Sequence, residues 1–310
     1  MDIININSIK KTFGDYTAVD GVSFDVAQGT IFGLLGPNGA GKTTTIRMIT
    51  NIIIPDEGKI TIDGMKNGYD TQSLIGYLPE ERGLYKKLKV IEQLKYFAQL
   101  KGVNAKDAEK IAMEWLVKLG AGGWENKKIQ ELSKGMQQKV QFIATILHDP
   151  KILILDEPFS GFDPINTEML KSIILDMKSR GKTIILSTHV MSQVEQLCDD
   201  IVIINKGKII VDGKVSEIKA RYGEDTVIIE FDGDSSVIND IPDIRITDRS
   251  NHRVEFRLGA NSPKASEILK DLVNKIDIIR FEKVQPSLHE IFITEVAKQK
   301  LGTKEATNEN

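Results

Sequence analysis

The sequence predicts an α/β protein: a mostly parallel sheet with crossover helices, a helical insertion within it, and a smaller α+β domain after it. Two observations carry that expectation. Up to about residue 220, the short apolar runs TIFGLLG, KILILDEP, TIILSTH and DIVIIN alternate with amphipathic helical patterns. Runs so nearly continuous in apolar residues suit strands covered on both faces. After KARYGED the style changes, and TVIIEF and HRVEFRL alternate apolar and polar residues like half-exposed strands.

In chain order, TIFGLLG is a buried strand that runs into GPNGAGKTT and then a helix. Residues of about 85–147 read as mostly helical, through VIEQLKYFAQL, DAEKIAMEWLVKLG and a helix opened by Ser133. In that last helix Met136, Val140, Ile143 and Leu147 recur at the spacing of one buried face. The later apolar runs resume the sheet, and NKGKII reads as a hairpin. Residues 1–220 thus form a first domain and 222–298 a second. In the second, SPKASEILKDLVNKI reads as a Ser-capped helix and DIIRFEKV as a further strand. Residues 299–310, ending in GTKEATNEN, read as a disordered tail. There is no internal repeat.

Composition narrows the function. With 310 residues, 41% of them hydrophobic and 27% charged, the chain can bury a sizeable core. Its net charge of −3 gives no electrostatic drive toward nucleic acid or anionic lipid, so no nucleic-acid partner is expected. The single cysteine, Cys198, excludes an internal disulfide and suits a reducing cytosol. Its setting, EQLCDDIV, is that of a small buried hydrophobe rather than a reactive thiol. No basic-then-apolar leader opens the sequence, and no run reaches the about 18 apolar residues of a spanning helix. A role at a membrane would need another polypeptide for the membrane part.

The strongest motif is GPNGAGKTT, comprising Gly36, Pro37, Asn38, Gly39, Ala40, Gly41, Lys42, Thr43 and Thr44. Between a strand and a helix, its glycines let backbone N–H groups turn inward around an anion, and the helix N-terminus adds its positive dipole end. Lys42 would reach the β- and γ-phosphates, and the Thr43 hydroxyl would bind Mg²⁺. ILILDEP is its partner, an apolar strand that delivers Asp156 and Glu157 to the carboxyl edge of the sheet, where α/β folds bind ligands. Alone, such an acidic pair could merely cap the strand. Beside a phosphate loop, Asp156 would hold Mg²⁺ through water, and Glu157 would polarise the attacking water.

In this order the elements resemble the nucleotide-binding subunit of an ABC transporter over residues 1 to about 220. The resemblance implies a P-loop ATPase core with a helical subdomain, ATP and Mg²⁺ as ligands, and coupled ATP hydrolysis. LSKGMQQ is similar to the family's signature, in which Ser133 and Gly135 face the γ-phosphate held by an opposing subunit; Lys134 stands where a second glycine is usual. SGFDP resembles the loop that puts Asp163 at the subunit interface, and LSTHVM the switch whose His189 contacts the γ-phosphate. Phe13 in KKTFGDYTAV matches the aromatic that stacks on adenine, with Tyr16 a rival. IGYLPEERGLYKKLKV matches the loop joining the core to the helical insertion. Glu80 occupies the place of the usual glutamine there, as a metal ligand beside the attacking water, adding negative charge near the γ-phosphate.

LHEIFITEV is similar to the closing segment of exporter-branch ATPases, including sodium- and drug-extrusion systems, although helix packing explains Leu288, Ile291 and Phe292 equally well. The implied assembly is a head-to-tail pair of ATPase subunits, a homo- or heterodimer, docked on an integral membrane permease at the cytoplasmic face of the membrane. The alternative is a soluble ABC-type ATPase acting on a ribosome or nucleic-acid complex. A single phosphate loop and a short stretch between Lys42 and Ser133 disfavour it. A non-catalytic nucleotide sensor is disfavoured by the presence of both Glu157 and His189.

Overall fold

A computed structural model describes residues 1–81, 83–223, 226–259 and 261–308, with residues 300–308 by backbone alone. The chain divides into two compact units, Met1–Val215 and Ser216–Asn310, against an expected boundary near 220.

The first unit opens with a sheet that the apolar-run pattern does not announce. Strands β1 (Asp2–Phe13) and β2 (Tyr16–Ala27) form an antiparallel hairpin. After β3 (Ile31–Leu35) and α1 (Lys42–Ile49), strands β4 (Glu57–Ile62) and β5 (Met65–Lys66) complete a four-stranded sheet in the order β2-β1-β4-β5. Its apolar face, including Ile4, Ile6, Val22, Val26, Ile60 and Ile62, shares one core with Phe32, Leu34, Ile46 and Ile154. Phe24 of this sheet stacks on Phe32 at 5.1 Å.

The second sheet carries the predicted buried strands. To β3 it adds β6 (Ile75–Leu78), β7 (Ile152–Asp156), β8 (Thr183–Thr188), β9 (Asp200–Asn205) and β10 (Lys208–Lys214), in the order β10-β9-β3-β8-β7-β6. Its pairs are parallel except for the expected β9–β10 hairpin. Every residue of β3, β7 and β8 is buried, as continuous apolar runs require. Register places Leu35 beside Thr188 and Asp156 beside Ser187, so three strands end level at one edge. Helices α5 (Pro164–Ser179) and α6 (Met191–Leu197) complete the crossovers.

Between β6 and β7 lies the helical insertion: α2 (Val90–Leu100), α3 (Ala105–Lys118) and α4 (Lys134–Ile146). In α4 and the residue after it, Val140, Ile143 and Leu147 are buried as their spacing predicts, with Met136 half-buried at the helix start. Cys198 is buried and free, and burial pushes its thiol well above the ordinary range, as fits a packing residue. Among the described residues, no helix is long and apolar enough to cross a membrane.

The second unit follows α7 (Val215–Arg221) with strands β11 (Thr226–Asp232), β12 (Ile244–Arg249) and β13 (Arg253–Leu258), helix α8 (Ala265–Leu272), strand β14 (Asp277–Val284) and helix α9 (Leu288–Asn308). The sheet is antiparallel in the order β12-β13-β11-β14, and Val227, Ile229, Phe231, Val254 and Phe256 pack against Ile268 and Leu272 of α8. One expectation needs correction. Ser262 does not cap α8: its hydroxyl accepts from the Gly259 N–H and donates to the Asp243 carbonyl, so the cap shifts to Lys264, whose N–H donates to Glu267. The backbone of helix α9 is described to Asn308, and residues 309–310 lie outside those described.

Gly76 explains how closely α4 lies on β6. A Cβ there would stand 2.4 Å from the Thr145 carbonyl oxygen, which is backbone and cannot step aside. Gly76→Ala should therefore destabilise the protein by about 1–3 kcal/mol, read as a lowered denaturant midpoint. Gly68→Ala, where the nearest atom is 3.9 Å away, is the control with little effect.

Candidate active site

Strand β3 delivers the chain into the loop Gly36–Gly41, which is held by close backbone approaches. Gly36 and Gly41 have φ of 148° and 109°, and a Cβ on them would lie 2.2 Å from the Ile204 carbonyl and 2.5 Å from the Ala18 carbonyl. Only glycine fits both positions. No side chain caps α1, whose N-terminus closes the loop, so its first-turn N–H groups point into a cavity of about 240 Å³. Asn38, Gly39, Ala40, Thr43 and Thr44 line that cavity on one side, and Glu80, Asp156 and Glu157 on the other. Within the loop, the Ala40 N–H donates to the Pro37 carbonyl at 3.2 Å.

Lys42 is buried and arches back to donate to the Gly36 carbonyl at 2.7 Å and the Pro37 carbonyl at 3.1 Å. Burial lowers its pKa, and the nearby carboxylates of Glu157, Asp156 and Glu80 work against that shift. Asp156, only 1% exposed, is pinned from two sides. Ser187 Oγ donates to Oδ1 at 2.7 Å and Thr43 Oγ1 to Oδ2 at 3.1 Å. Burial raises its pKa, those two hydrogen bonds oppose the rise, and Glu80 and Glu157 add to it.

Glu157 has a left-handed backbone, φ 48°, unfavourable for a residue with a Cβ and characteristic of functional sites. That turn swings its carboxylate toward the end of β8, where it accepts from Thr188 Oγ1 at 3.0 Å and from the His189 N–H at 3.0 Å. His189 Nδ1 lies 2.6 Å from Oε1 of the same carboxylate.

The donor set fits a nucleotide with a divalent cation: inward N–H groups and a lysine for phosphate, and a hydroxyl beside a carboxylate for Mg²⁺. Among the described residues no group of three or more acidic, histidine or cysteine side chains is placed to hold a metal ion by itself.

Not every predicted residue lies here. Ser133 caps α4 at the surface, accepting from the Met136 N–H at 3.3 Å. Gly135 sits over the Gly161 carbonyl and the Phe162 ring, and Asp163 caps α5, accepting from the Asn166 N–H at 2.8 Å. These three form a separate group that does not line the phosphate-loop cavity, with Ser133 and Asp163 exposed and Gly135 half-buried. Phe13 and Tyr16 pair across the β1–β2 turn. Tyr16 lines the cavity and its hydroxyl donates to the Gly39 carbonyl at 3.3 Å, whereas Phe13 carries the Lys11 ammonium 5.7 Å from its ring centroid. Sequence reasoning missed Ser187 and Thr188. Their signal was two hydroxyls closing the apolar run TIILST.

The family described as ABC transporter matches residues 19–160, and the family described as ATP-binding protein DrrA1-3-like, C-terminal domain, matches residues 213–296. Along its length the chain is 46% identical over 294 residues to the uncharacterized ABC transporter ATP-binding protein YhaQ of Bacillus subtilis, covering 95% of this chain and 98% of that one. The chain belongs to the ABC transporter ATP-binding proteins. Another similar protein is the linearmycin resistance ATP-binding protein LnrL of the same species, 31% identical over 302 residues, covering 94% of this chain and 97% of LnrL. Among solved structures, one described as the ATP-binding subunit of an ABC transporter aligns with a TM-score of 0.67 at 30% identity, over 71% of this chain and 93% of that one. As an ABC ATPase, the protein binds and hydrolyses ATP.

The buried, raised Asp156 carboxyl makes a stability prediction. A carboxyl raised in the fold contributes fully below its ordinary range and loses that contribution as pH rises through the raised value. The cost grows as pH rises above the ordinary aspartate range, so at pH 7.5 Asp156→Asn should melt above the wild type without nucleotide. The advantage should vanish near pH 4, and calorimetry across that range checks it.

Proposed function

We propose that the chain is the ATPase subunit of an exporter and that two copies, or this chain and a similar one, close head to tail around ATP. One observation carries the pairing: the phosphate loop with Asp156 and Glu157 lines one cavity, while Ser133 and Asp163, exposed, and Gly135, half-buried, lie outside it. A phosphate site open on one surface and a helix start on another support completion of the site by a second subunit. The exporting role draws support from the relatives' names, which include linearmycin resistance and, in Rhizobium etli, Nod factor export.

In this mechanism the N–H groups of Gly39 and of Gly41 to Thr44 would cradle the β- and γ-phosphates, the Ala40 N–H being held by the Pro37 carbonyl. Lys42 exchanges the Gly36 and Pro37 carbonyls for phosphate oxygen. Thr43, Asp156 and Glu80 would hold Mg²⁺, whose chemistry there would be to offset the negative charge of the phosphates. Glu157 orients the attacking water and takes its proton, while His189 and Thr188 fix the carboxylate's rotamer. His189 also faces the γ-phosphate. The aromatic pair Phe13 and Tyr16, at the end of the hairpin beside the loop, gives adenine a flat face, with Phe13 as the stacking residue. From the opposing copy, the Ser133 hydroxyl and the N–H groups around Gly135 reach the γ-phosphate, and Asp163 lies at the contact. The permease docks at the groove of about 620 Å³ that includes Glu81, Leu84, Phe97 and Leu100, placing the ATPase at the cytoplasmic face of the membrane.

Glu157→Gln keeps the hydrogen-bonding shape but cannot take a proton. Hydrolysis should fall about 10²–10³-fold with nucleotide binding retained. The variant, isolated from native membranes in ATP and Mg²⁺, should carry a stoichiometric multi-span membrane protein. Recovery instead with a ribosome or DNA, or as a soluble dimer alone, would overturn the exporter reading.

A further inference from the structure

Strand β6 is an edge of its sheet, so one row of its carbonyls has no strand partner. Side chains from α4 and the turn after it take that place. His148 Nε2 lies 3.2 Å from the Ile75 carbonyl, which also accepts from Lys101 Nζ at 3.3 Å, and Thr145 Oγ1 lies 3.4 Å from the Tyr77 carbonyl and 3.0 Å from the Gln141 carbonyl of its own helix. Gln141 Nε2 donates to the Pro79 carbonyl at 3.1 Å and to the Glu81 carbonyl at 3.2 Å. The carbonyls alternate along the chain, as those on one edge of a strand do, and the three side chains lie on one helical face. Gly76 removes the Cβ that would otherwise hold α4 away.

The last rung is the informative one. It continues past the end of β6 into the loop, and Glu80 sits between the two carbonyls that Gln141 holds. Gln141 is only 5% exposed, and its Oε1 is buried without a partner. Only the NH₂ end of an amide can serve two carbonyls, which fixes the orientation and leaves the oxygen stranded. Burying an unsatisfied oxygen is costly, so the position is held for its two donors. At the other end of the same helix, two turns away, stand Ser133 and Gly135.

We propose that Gln141 is a positioning residue for ATP hydrolysis: its two hydrogen bonds to the Pro79 and Glu81 carbonyls lock Glu80 into the site and tie that placement to α4, the helix that begins at Ser133. The proposal rests on the reading of Glu80 as a contact to the metal and the attacking water. Its consequence is a link between two ATP sites. A partner's nucleotide that engages Ser133 shifts α4, and Gln141 passes the shift to Glu80 of the chain's own site.

The test is a double-mutant cycle in the purified full-length protein. Gln141→Leu keeps volume and burial but removes both donors. Its kcat should fall roughly tenfold and the Mg²⁺ needed for half-maximal rate should rise, with nucleotide affinity in EDTA unchanged. In a Glu80→Ala background, Gln141→Leu should have little further effect. Gln141→Glu tests the donor directly: burial raises its carboxyl, and the protonated form regains one donor. Its rate relative to the wild type should therefore climb as pH falls from 8.5 to 6. Gln141→Leu with wild-type kcat and Mg²⁺ dependence, or with the same tenfold loss in the Glu80→Ala background, overturns the proposal while leaving Glu80's role intact. A Glu80→Ala protein with wild-type rate and Mg²⁺ dependence overturns the Glu80 reading itself, and the proposal with it.

Discussion

Two hydroxyls donating to the Asp156 carboxylate hold the site together. Thr43 comes from the start of α1, Ser187 from the end of β8 and Asp156 from the end of β7, so these bonds join three neighbouring strand ends at one point. The parallel register makes this possible. Strands that end level place their last residues within reach of one another, and the loops that follow inherit that alignment. Each further feature is referred to this point: Lys42 lies one residue before Thr43, Glu157 one after Asp156, and Thr188 with His189 directly after Ser187.

The arrangement is costly without phosphate and metal. Three carboxylates, Glu80, Asp156 and Glu157, share a small cavity with a single buried ammonium. Burial and mutual repulsion raise Asp156, and Glu157 sits in a backbone conformation that a side chain disfavours. Strain and repulsion gathered in one place, at the edge of a sheet whose interior is close-packed Ile, Leu and Val, mark a site shaped to bind positive charge and phosphate. Stability is given up at the edge of the sheet and recovered in its interior.

Much of this was legible in the sequence because it rests on local pattern. TIFGLLG, KILILDEP, TIILSTH and DIVIIN announce buried strands by unbroken apolar runs, and GPNGAGKTT announces its loop by glycines that must approach backbone. What was not legible depends on partners distant in the chain. Strands β1, β2 and β4 alternate imperfectly, and their pairing across about 50 residues becomes visible only when their apolar face meets Phe32 and Ile154. Ser262 has the sequence of a helix cap, yet Gly259 and Asp243 claim its hydroxyl. Gln141 reads as one more polar residue on an amphipathic helix, because the carbonyls that it serves lie some sixty positions earlier. The positive φ of Glu157 has no sequence signal at all.

The proposed pairing makes one chain carry only half of a working ATP site, with Ser133 and Gly135 of a second copy completing it. The direct measurement is the ATP hydrolysis rate per chain of the purified protein across a wide concentration range, with the oligomeric state followed in parallel. A composite site predicts a rate per chain that rises with concentration and levels off as dimers form. A rate per chain that stays constant down to concentrations where the protein is wholly monomeric would contradict it.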